Sequence, residues 1–324
     1  NKKKGVSVGI RTYNALQSDK TRALKLGKKG SSETFIEFKR TMGSDKKFHS
    51  SFMEADFSSE DLSAEVLKKL KSFVQNDNFK SVVITIPAMF NDNQKSATQK
   101  AAELAGFSQV ELLQEPIAAA MAYGLDEKVK DGQILIFDFG GGTFDVCLVN
   151  VEDGIMQVKD TEGDNWLGGK NLDNAIVDEI LVPYLKENYT TDSFFDDEAK
   201  KLLLKNALKV KAEEIKINLS FSKSFDVISN LGEYPDDDQG EEIELDFEVT
   251  HDQMIDVLGP VFQKAVDMAK EVLSRNKLSG TSLNSLILVG GPTFSPVLRE
   301  LLSAQICAPD TSVDPMTVVA RGAA

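Results

Sequence analysis

Ile134-Leu135-Ile136-Phe137-Asp138-Phe139-Gly140-Gly141-Gly142-Thr143-Phe144-Asp145-Val146 carries a run of apolar β-formers to a carboxylate and turns on three consecutive glycines. It then reopens with a hydroxyl and a second carboxylate. The apolar run Val146-Cys147-Leu148-Val149 follows at once. Glycine reaches the positive-φ conformations of a tight turn and lets backbone N–H groups approach an anion with no Cβ in the way. Asp138, Thr143 and Asp145 have the chemistry to hold a hydrated divalent cation through water and to orient an attacking water. Strand, glycine turn, strand is not a P-loop, which requires Gly-Lys-Ser/Thr and a following helix. The pattern reads as the phosphate clamp of a nucleotide hydrolase. Its plain alternative is a glycine-rich hairpin carrying two solvated aspartates.

The pattern continues on both sides of this hairpin. Strands are expected at 133–138, 144–151 and 154–160, and a second glycine turn, Leu167-Gly168-Gly169, leads into a helix from about 171 to 185. A helical segment (196–218), an acidic strand-like stretch (225–249) and a helix from about 253 to 274 come next. Ser285-Leu286-Ile287-Leu288-Val289 then feeds Gly290-Gly291 and a helix beginning near Ser295-Pro296, so the two glycines form a natural anion or ribose platform. Upstream, residues 5–10 read as a short alternating strand and 12–25 as a helix. Ser59-Glu60-Asp61-Leu62 opens a helix with an acidic first turn, on which Val66, Leu67, Leu70 and Phe73 recur at helical spacing. Residues 82–86 form a buried-strand run, and Asn91-Asp92-Asn93-Gln94 caps a helix that continues through 96–105. A strand at 110–113 precedes Glu115-Pro116, where proline in the first turn starts an alanine-rich helix over 117–123. This βαβα order is the signature of parallel pairing. Both halves end in strand–helix alternation, which fits two related lobes. The first half lacks a three-strand opening like 133–160, of which only 5–10 remains, so an N-terminal portion is expected to be missing.

The chain has 324 residues, 41% hydrophobic and 27% charged, an ordinary globular composition long enough for two lobes. With 37 Lys and Arg against 51 Asp and Glu, its net charge of −14 argues against non-specific nucleic-acid binding, which needs basic patches. No run approaches a membrane span and no signal peptide is visible, so neither a membrane nor a nucleic acid is an expected partner. Cys147 and Cys307 lie far apart and read as inert thiols of a reducing, cytoplasmic compartment. His49 and His251 cannot build a zinc site with cysteines so placed. Asp236-Asp237-Asp238 with Glu241-Glu242 reads as a solvated loop face.

Six stretches in order resemble the nucleotide-binding domain of the DnaK-type, seventy-kilodalton heat-shock chaperones, within the actin-like ATPase superfamily. They begin with Phe38-Lys39-Arg40-Thr41-Met42-Gly43 and the run Val83-Ile84-Thr85-Ile86-Pro87-Ala88-Met89-Phe90-Asn91-Asp92. Gln114-Glu115-Pro116-Ile117-Ala118-Ala119-Ala120-Met121-Ala122-Tyr123-Gly124-Leu125 and the glycine hairpin from Asp138 follow. Gly163-Asp164-Asn165-Trp166-Leu167-Gly168-Gly169 and Leu286-Ile287-Leu288-Val289-Gly290-Gly291 complete the set. The resemblance implies an α/β, two-lobed actin-like ATPase fold, with a ribonuclease-H-like core in each lobe and ATP or ADP with Mg2+ in a central cleft. Residues 1–131 and 312–324 would form lobe I, and 132–311 lobe II, with about 171–250 as its outer subdomain.

The same resemblance implies residue roles. Lys39 would reach the γ-phosphate, and Glu115 would help hold hydrated magnesium; by position alone they are a surface cation and a helix cap. Asp138 would orient water or act as general base and, with Asp145, support the cation, while Thr143 would contact phosphate or the water. Gly140, Gly141, Gly142, Gly168 and Gly169 would present backbone donors to phosphates. Glu213, Lys216 and Ser220 share one helical face and match the helix that grips adenosine, with Gly290 and Gly291 opposite. Pro292-Thr293-Phe294 stands where the family commonly has Ser-Thr-Arg, so Phe294 would stack on a purine without the cation. Met316 stands at a usually acidic position near the adenine pocket; Lys95 and Met89 replace a common arginine and tyrosine of the lobe-I relay. The first phosphate loop should precede residue 1, so the chain as given is expected to hydrolyse poorly, and 44–60 is shorter than expected.

The implied function is ATP binding and hydrolysis that controls peptide binding by an absent C-terminal domain, in stress response and protein folding. The implied partners are J-domain co-chaperones, nucleotide-exchange factors and unfolded clients. A weakly hydrolysing regulatory or exchange-factor relative is the alternative. A sugar or acetate kinase on the same fold would need an acceptor pocket with its own base, which the sequence does not display.

Overall fold

The computed structural model describes residues 6–27, 33–74, 79–124 and 131–324. It opens with helix α1 (Ile10–Leu26), then the short strands β1 (Phe48–Ser50) and β2 (Ala55–Phe57) and helix α2 (Ser59–Lys71). The expected strand at 5–10 is not formed. Residues 6–8 carry no regular structure, Gly9 turns the chain at φ 107°, and Ile10 already belongs to α1. Alternation over so few residues gives no strand without a neighbouring ladder to satisfy its backbone, and none of the described strands pairs with it. Gly5 lies outside the described residues.

Next come β3 (Ser81–Ile86), α3 (Asp92–Leu104), β4 (Gln109–Gln114) and α4 (Glu115–Gly124). β3 and β4 pair in parallel, as the βαβα order predicts. Local chemistry sets the helix starts. Ser58 with Asp61 caps α2, and Asn91 with Gln94 caps α3, each pair satisfying two orphan N–H groups reciprocally.

The strands β5 (Gly132–Phe139), β6 (Phe144–Glu152) and β7 (Ile155–Asp164) form an antiparallel meander. Helices α5 (Gly169–Ile176) and α6 (Val182–Asn188) follow as one run through a π turn at Val177–Leu181. Then come α7 (Asp192–Phe195), α8 (Glu198–Asn218), β8 (Ser224–Ile228), β9 (Asp246–Thr250) and α9 (His251–Arg275), the last capped by Thr250 and Gln253. The 225–249 stretch is therefore two paired strands around a loop. Within that loop Asp237 is buried, and its carboxylate accepts backbone N–H groups of Glu241, Thr190 and Gln239. These bonds hold its carboxyl below the usual range. Part of the acidic run thus staples the loop and is not a solvated face. The chain ends with β10 (Ser285–Val289), α10 (Pro296–Gln305) and α11 (Val318–Ala323).

β10 joins the meander beside β5, giving the order β10-β5-β6-β7. The pairing is parallel, and its register sets Val289 opposite Asp138. The sheet is apolar on both faces because both are covered. Leu135, Phe137, Phe139, Phe144 and Val146 pack into the core made with α5, α8 and α9, where Phe139 meets Phe262 at 5.3 Å between ring centroids. Ile134, Ile136, Cys147 and Val149 pack with Ala119 and Ala120 of α4 and Val318 of α11. Each fully buried large side chain contributes about 1.5–3 kcal/mol, so this sandwich fixes the strand ends rigidly. α11 returns the last residues to α4, and a Cβ at Gly322 would overlap the backbone of Ala118. No described helix is long and apolar enough to cross a membrane. Cys147 and Cys307 are both free thiols, and burial pushes Cys147 up to about 12, which keeps it unreactive.

Candidate functional site

The register that sets Val289 beside Asp138 brings two glycine turns to one edge of the sheet. At the first, Gly140 N–H donates to Thr143 O at 2.9 Å and closes the β5–β6 hairpin. The second turn stacks on it: Gly169 N–H donates to Gly140 O at 2.9 Å and Lys170 N–H to Gly141 O at 3.0 Å. Gly168 N–H is taken by Asn171 Oδ1 at 2.9 Å. Three of the five expected glycine donors are therefore committed within the chain, which leaves Gly141 and Gly142 among the described residues. The stack depends on glycine. A Cβ on Gly168 would lie 2.5 Å from Gly142 backbone atoms, and one on Gly290, at φ 95°, would strike the carbonyl of Phe139. Gly168→Ala is expected to force the turns apart. It should cost about 1–3 kcal/mol of stability, as overpacking does, which thermal melting reads.

Lys39 sits on a 3₁₀ turn, Phe38–Thr41, and its Nζ donates to Glu115 Oε1 at 2.8 Å. Glu115 is the first residue of α4, so a charge-assisted bond ties the lysine to a helix start. Behind it, Glu115, Asp138 and Asp145 line a recess of about 10 Å³, with Pro87, Ile136 and Val289 as apolar walls. That space suits about one water. Burial, reinforced by the charges of Glu115 and Asp145 and opposed by Lys39, raises the Asp138 carboxyl to about 7. Burial and Glu115 raise Asp145 to about 6. Burial works against the Lys39 ammonium, but Glu115, then Asp138 and Asp145, outweigh it and hold its pKa above the usual value. The two aspartates are thus not the solvated pair of the plain alternative. Among the described residues no three His, Cys, Asp or Glu side chains are grouped to ligate a metal directly.

Lys39 also faces a much larger cavity of about 950 Å³, a size typical of small-molecule sites. Gly141, Gly142, Thr143 and Gly169 line its phosphate-like end, and Glu213, Lys216, Ser220, Gly291, Phe294 and Met316 its far end. Gly140, Gly168 and Gly290 stand one residue behind the wall and shape it. Lys216 is not a free cation: its Nζ pairs with Asp173 at 2.5 Å, both groups largely shielded. Ser220 Oγ donates to the carbonyl of Lys216 at 3.0 Å. Phe294 packs against Phe221 at 5.4 Å, and the Arg299 guanidinium lies 5.6 Å over the Phe294 ring, so a cation remains near this position. Lys95 and Met89 lie elsewhere; Lys95 pairs with Asp92 at 3.4 Å and Met89 is exposed.

Several contributors went unnoticed in the sequence. Arg40 donates to the carbonyl of Gly142 and lies 5.2 Å over the Trp166 ring, tying the Lys39 turn to the glycine stack. Its only signal was adjacency to Lys39. Tyr13 and Gln17 of α1 both donate to Glu213. Nothing local in the sequence announces that contact.

A mixed α/β chain with two interlocked glycine turns, crowded carboxylates and a ligand-sized cavity has the form of a small-molecule site. Comparison with known proteins names the class more closely. The model of the Hsp70 protein family matches residues 26–324. The chain is 33% identical over 295 residues to the chaperone protein DnaK of Nitrosopumilus maritimus, covering 90% of this chain and 45% of that protein. It is 34% identical to DnaK of Methanothermobacter thermautotrophicus (90% and 48%) and 35% identical to DnaK of Elusimicrobium minutum (90% and 46%). The chain belongs to the Hsp70 family, and it spans about half the length of these curated relatives.

Proposed function

We propose that this chain is the ATP-binding and hydrolysing part of a chaperone, in which nucleotide state controls peptide binding by a separate domain. The observation that carries the reading is the convergence of Lys39, Glu115, Asp138 and Asp145 behind a glycine hairpin that opens on a cavity of nucleotide size. Residues 1–131 with 312–324 make lobe I and 132–311 lobe II, with about 171–250 as its outer part and a ribonuclease-H-like core in each lobe. The docking of α11 on α4 supports assigning the C-terminal tail to lobe I.

Phosphates would lie against the Gly141 and Gly142 amides and Thr143, with Lys39 stabilising charge on the terminal phosphoryl oxygens. Asp138, whose carboxyl burial, Glu115 and Asp145 raise, would take a proton from an attacking water, for which the recess has room. Mg2+ fits this carboxylate set through water: burial and the crowding of Glu115, Asp138 and Asp145 push both aspartates up, and Lys39 is the cation among the described residues that offsets them. When bound, the ion would supply neutralisation of phosphate oxygens. The far end, with Glu213, Lys216 and Ser220 on one side and Gly290, Gly291 and Phe294 on the other, takes the nucleoside.

J-domain co-chaperones, exchange factors and unfolded clients are the partners this function requires. A reducing, cytoplasmic setting belongs to the same proposal. The test is ATP binding by calorimetry together with single-turnover phosphate release at saturating Mg2+. Expected are saturable binding and slow release dependent on Mg2+. Tight binding with no release would favour a regulatory relative, and absence of binding would overturn the reading.

A further inference from the structure

The large cavity is basic within an acidic chain. Lys20, Lys39, Arg40, Lys170, Lys209 and Lys216 line it against the carboxylates of Glu37, Asp173 and Glu213, although the whole chain carries a net charge of −14. Those carboxylates are already engaged. Asp173 pairs with Lys216 at 2.5 Å, and Glu213 accepts from Tyr13 at 2.5 Å and from Gln17 at 3.2 Å. Glu37 is shared between Lys170 and Arg40, while Lys39 is held by Glu115. The ammonium groups of Lys20 and Lys209 are left with no carboxylate in pairing range among the described residues.

The fold presses these two cations together. Lys20 stands one turn beyond Gln17 on α1, and Lys209 one turn before Glu213 on α8, so the contact that seats Gln17 on Glu213 also sets the lysines side by side. Burial and then the charge of Lys209 lower the Lys20 ammonium; burial, then Lys20 and Lys209, lower that of Lys170 at the start of α5. The carboxamides of Asn174 and Asn206 line the same cavity and make no side-chain hydrogen bond among the described residues. Half-buried like charges cost energy unless an anion offsets them. We propose that Lys20, Lys170 and Lys209 form a second oxyanion site on the wall made by α1, α5 and α8, taking a phosphate dianion and separate from the clamp at Lys39, Gly141 and Gly142. A tetrahedral phosphate accepts from several directions at once, which suits three ammonium groups and two amides better than a planar carboxylate does. Lys20 lies outside the span matched by the Hsp70 family, residues 26–324, so the site depends on a helix that this match does not include.

The experiment titrates inorganic phosphate calorimetrically into the chain, alone and with the clamp filled by a non-hydrolysable ATP analogue, against sodium chloride at matched ionic strength. Phosphate is expected to bind in both arms. Lys20→Gln combined with Lys209→Gln should weaken it roughly tenfold or more, the range of a lost charged hydrogen bond, while Lys20→Arg largely keeps it. Without phosphate the double variant should melt no earlier than the unaltered chain, because it removes two crowded like charges; phosphate should raise the melting temperature of the unaltered chain alone. Tripolyphosphate binding at least tenfold more tightly assigns the site to the end of a phosphate chain, and comparable affinities assign it to the free ion; both uphold it. Undiminished phosphate affinity in the double variant overturns the proposal, as does equal stabilisation by chloride, which reduces the cluster to screened charge. Loss of phosphate binding once the analogue fills the clamp returns the three lysines to the nucleotide site and overturns a separate one. Failure of the analogue to bind overturns the nucleotide reading instead, while phosphate binding that the double variant loses still upholds this one.

Discussion

Asp138→Asn is expected to lower single-turnover phosphate release by roughly 10²–10⁴-fold, the range of a lost general base, while ATP affinity changes little. The same substitution should make the protein more stable at neutral pH. In the folded chain this carboxyl is raised from 3.8 to about 7 by burial, Glu115 and Asp145, so the native state binds its proton more tightly than the unfolded state does. Its stabilising contribution is therefore fully present below about pH 4 and is lost as pH rises toward 7, because a buried charge must then be carried. At about 1.4 kcal/mol per pKa unit, the loss is on the order of 2–4 kcal/mol. Asparagine carries no such charge. Melting temperatures from pH 4 to 8 should fall for the unaltered chain and fall less for Asp138→Asn, with a residual slope from Asp145, which is raised to about 6 with the same sign. Parallel slopes would show that Asp138 is well solvated, and an unchanged rate would remove it from the chemistry.

The glycine hairpin was legible in the sequence because everything that makes it is local. Apolar β-formers, a carboxylate at the strand end and three glycines specify two strands and a tight turn whatever lies around them. The βαβα pair and the capped helices were legible for the same reason, since Ser58 with Asp61 and Asn91 with Gln94 act over three residues. Residues 5–10 were misread because alternation says nothing about whether a partner strand exists. The role of Asp237 was hidden because its donors include Thr190, brought in by folding. Likewise the contact of Tyr13 and Gln17 with Glu213 joins residues about two hundred positions apart, beyond any periodicity rule. Phe294 read as a lost cation, yet Arg299 returns one to its ring from the first turns of α10. Side-chain types and short-range order are written in the chain, whereas pairings across the cavity depend on how helices and loops pack around the sheet.

Lys39→Ala should lower phosphate release by about 10²–10³-fold, and its pH profile should separate the two things the lysine does. One is to stabilise charge on the phosphoryl oxygens. The other is electrostatic: Lys39 is the cation that lowers both Asp138 and Asp145 against the crowding of Glu115. Without it, Asp138 holds its proton to higher pH and cannot accept one from water near neutrality. The rate of the unaltered chain should rise with pH as Asp138 ionises, below about 7 once Mg2+ adds its charge, and in Lys39→Ala that rise should move upward. Part of the lost rate should therefore return under alkaline conditions. Stability should change by less than about 1 kcal/mol, because the lysine side chain, although protein surrounds it in the cavity, is still 59% exposed and its pairing is screened by water. The released carboxylates can also take up protons and need not remain as uncompensated charges. Lys39→Arg should not restore the rate, since a planar fork cannot replace a compact ammonium on both Glu115 and a phosphate. A rate lowered equally at every pH would confine Lys39 to the phosphate, and full activity of Lys39→Ala would exclude it from the site.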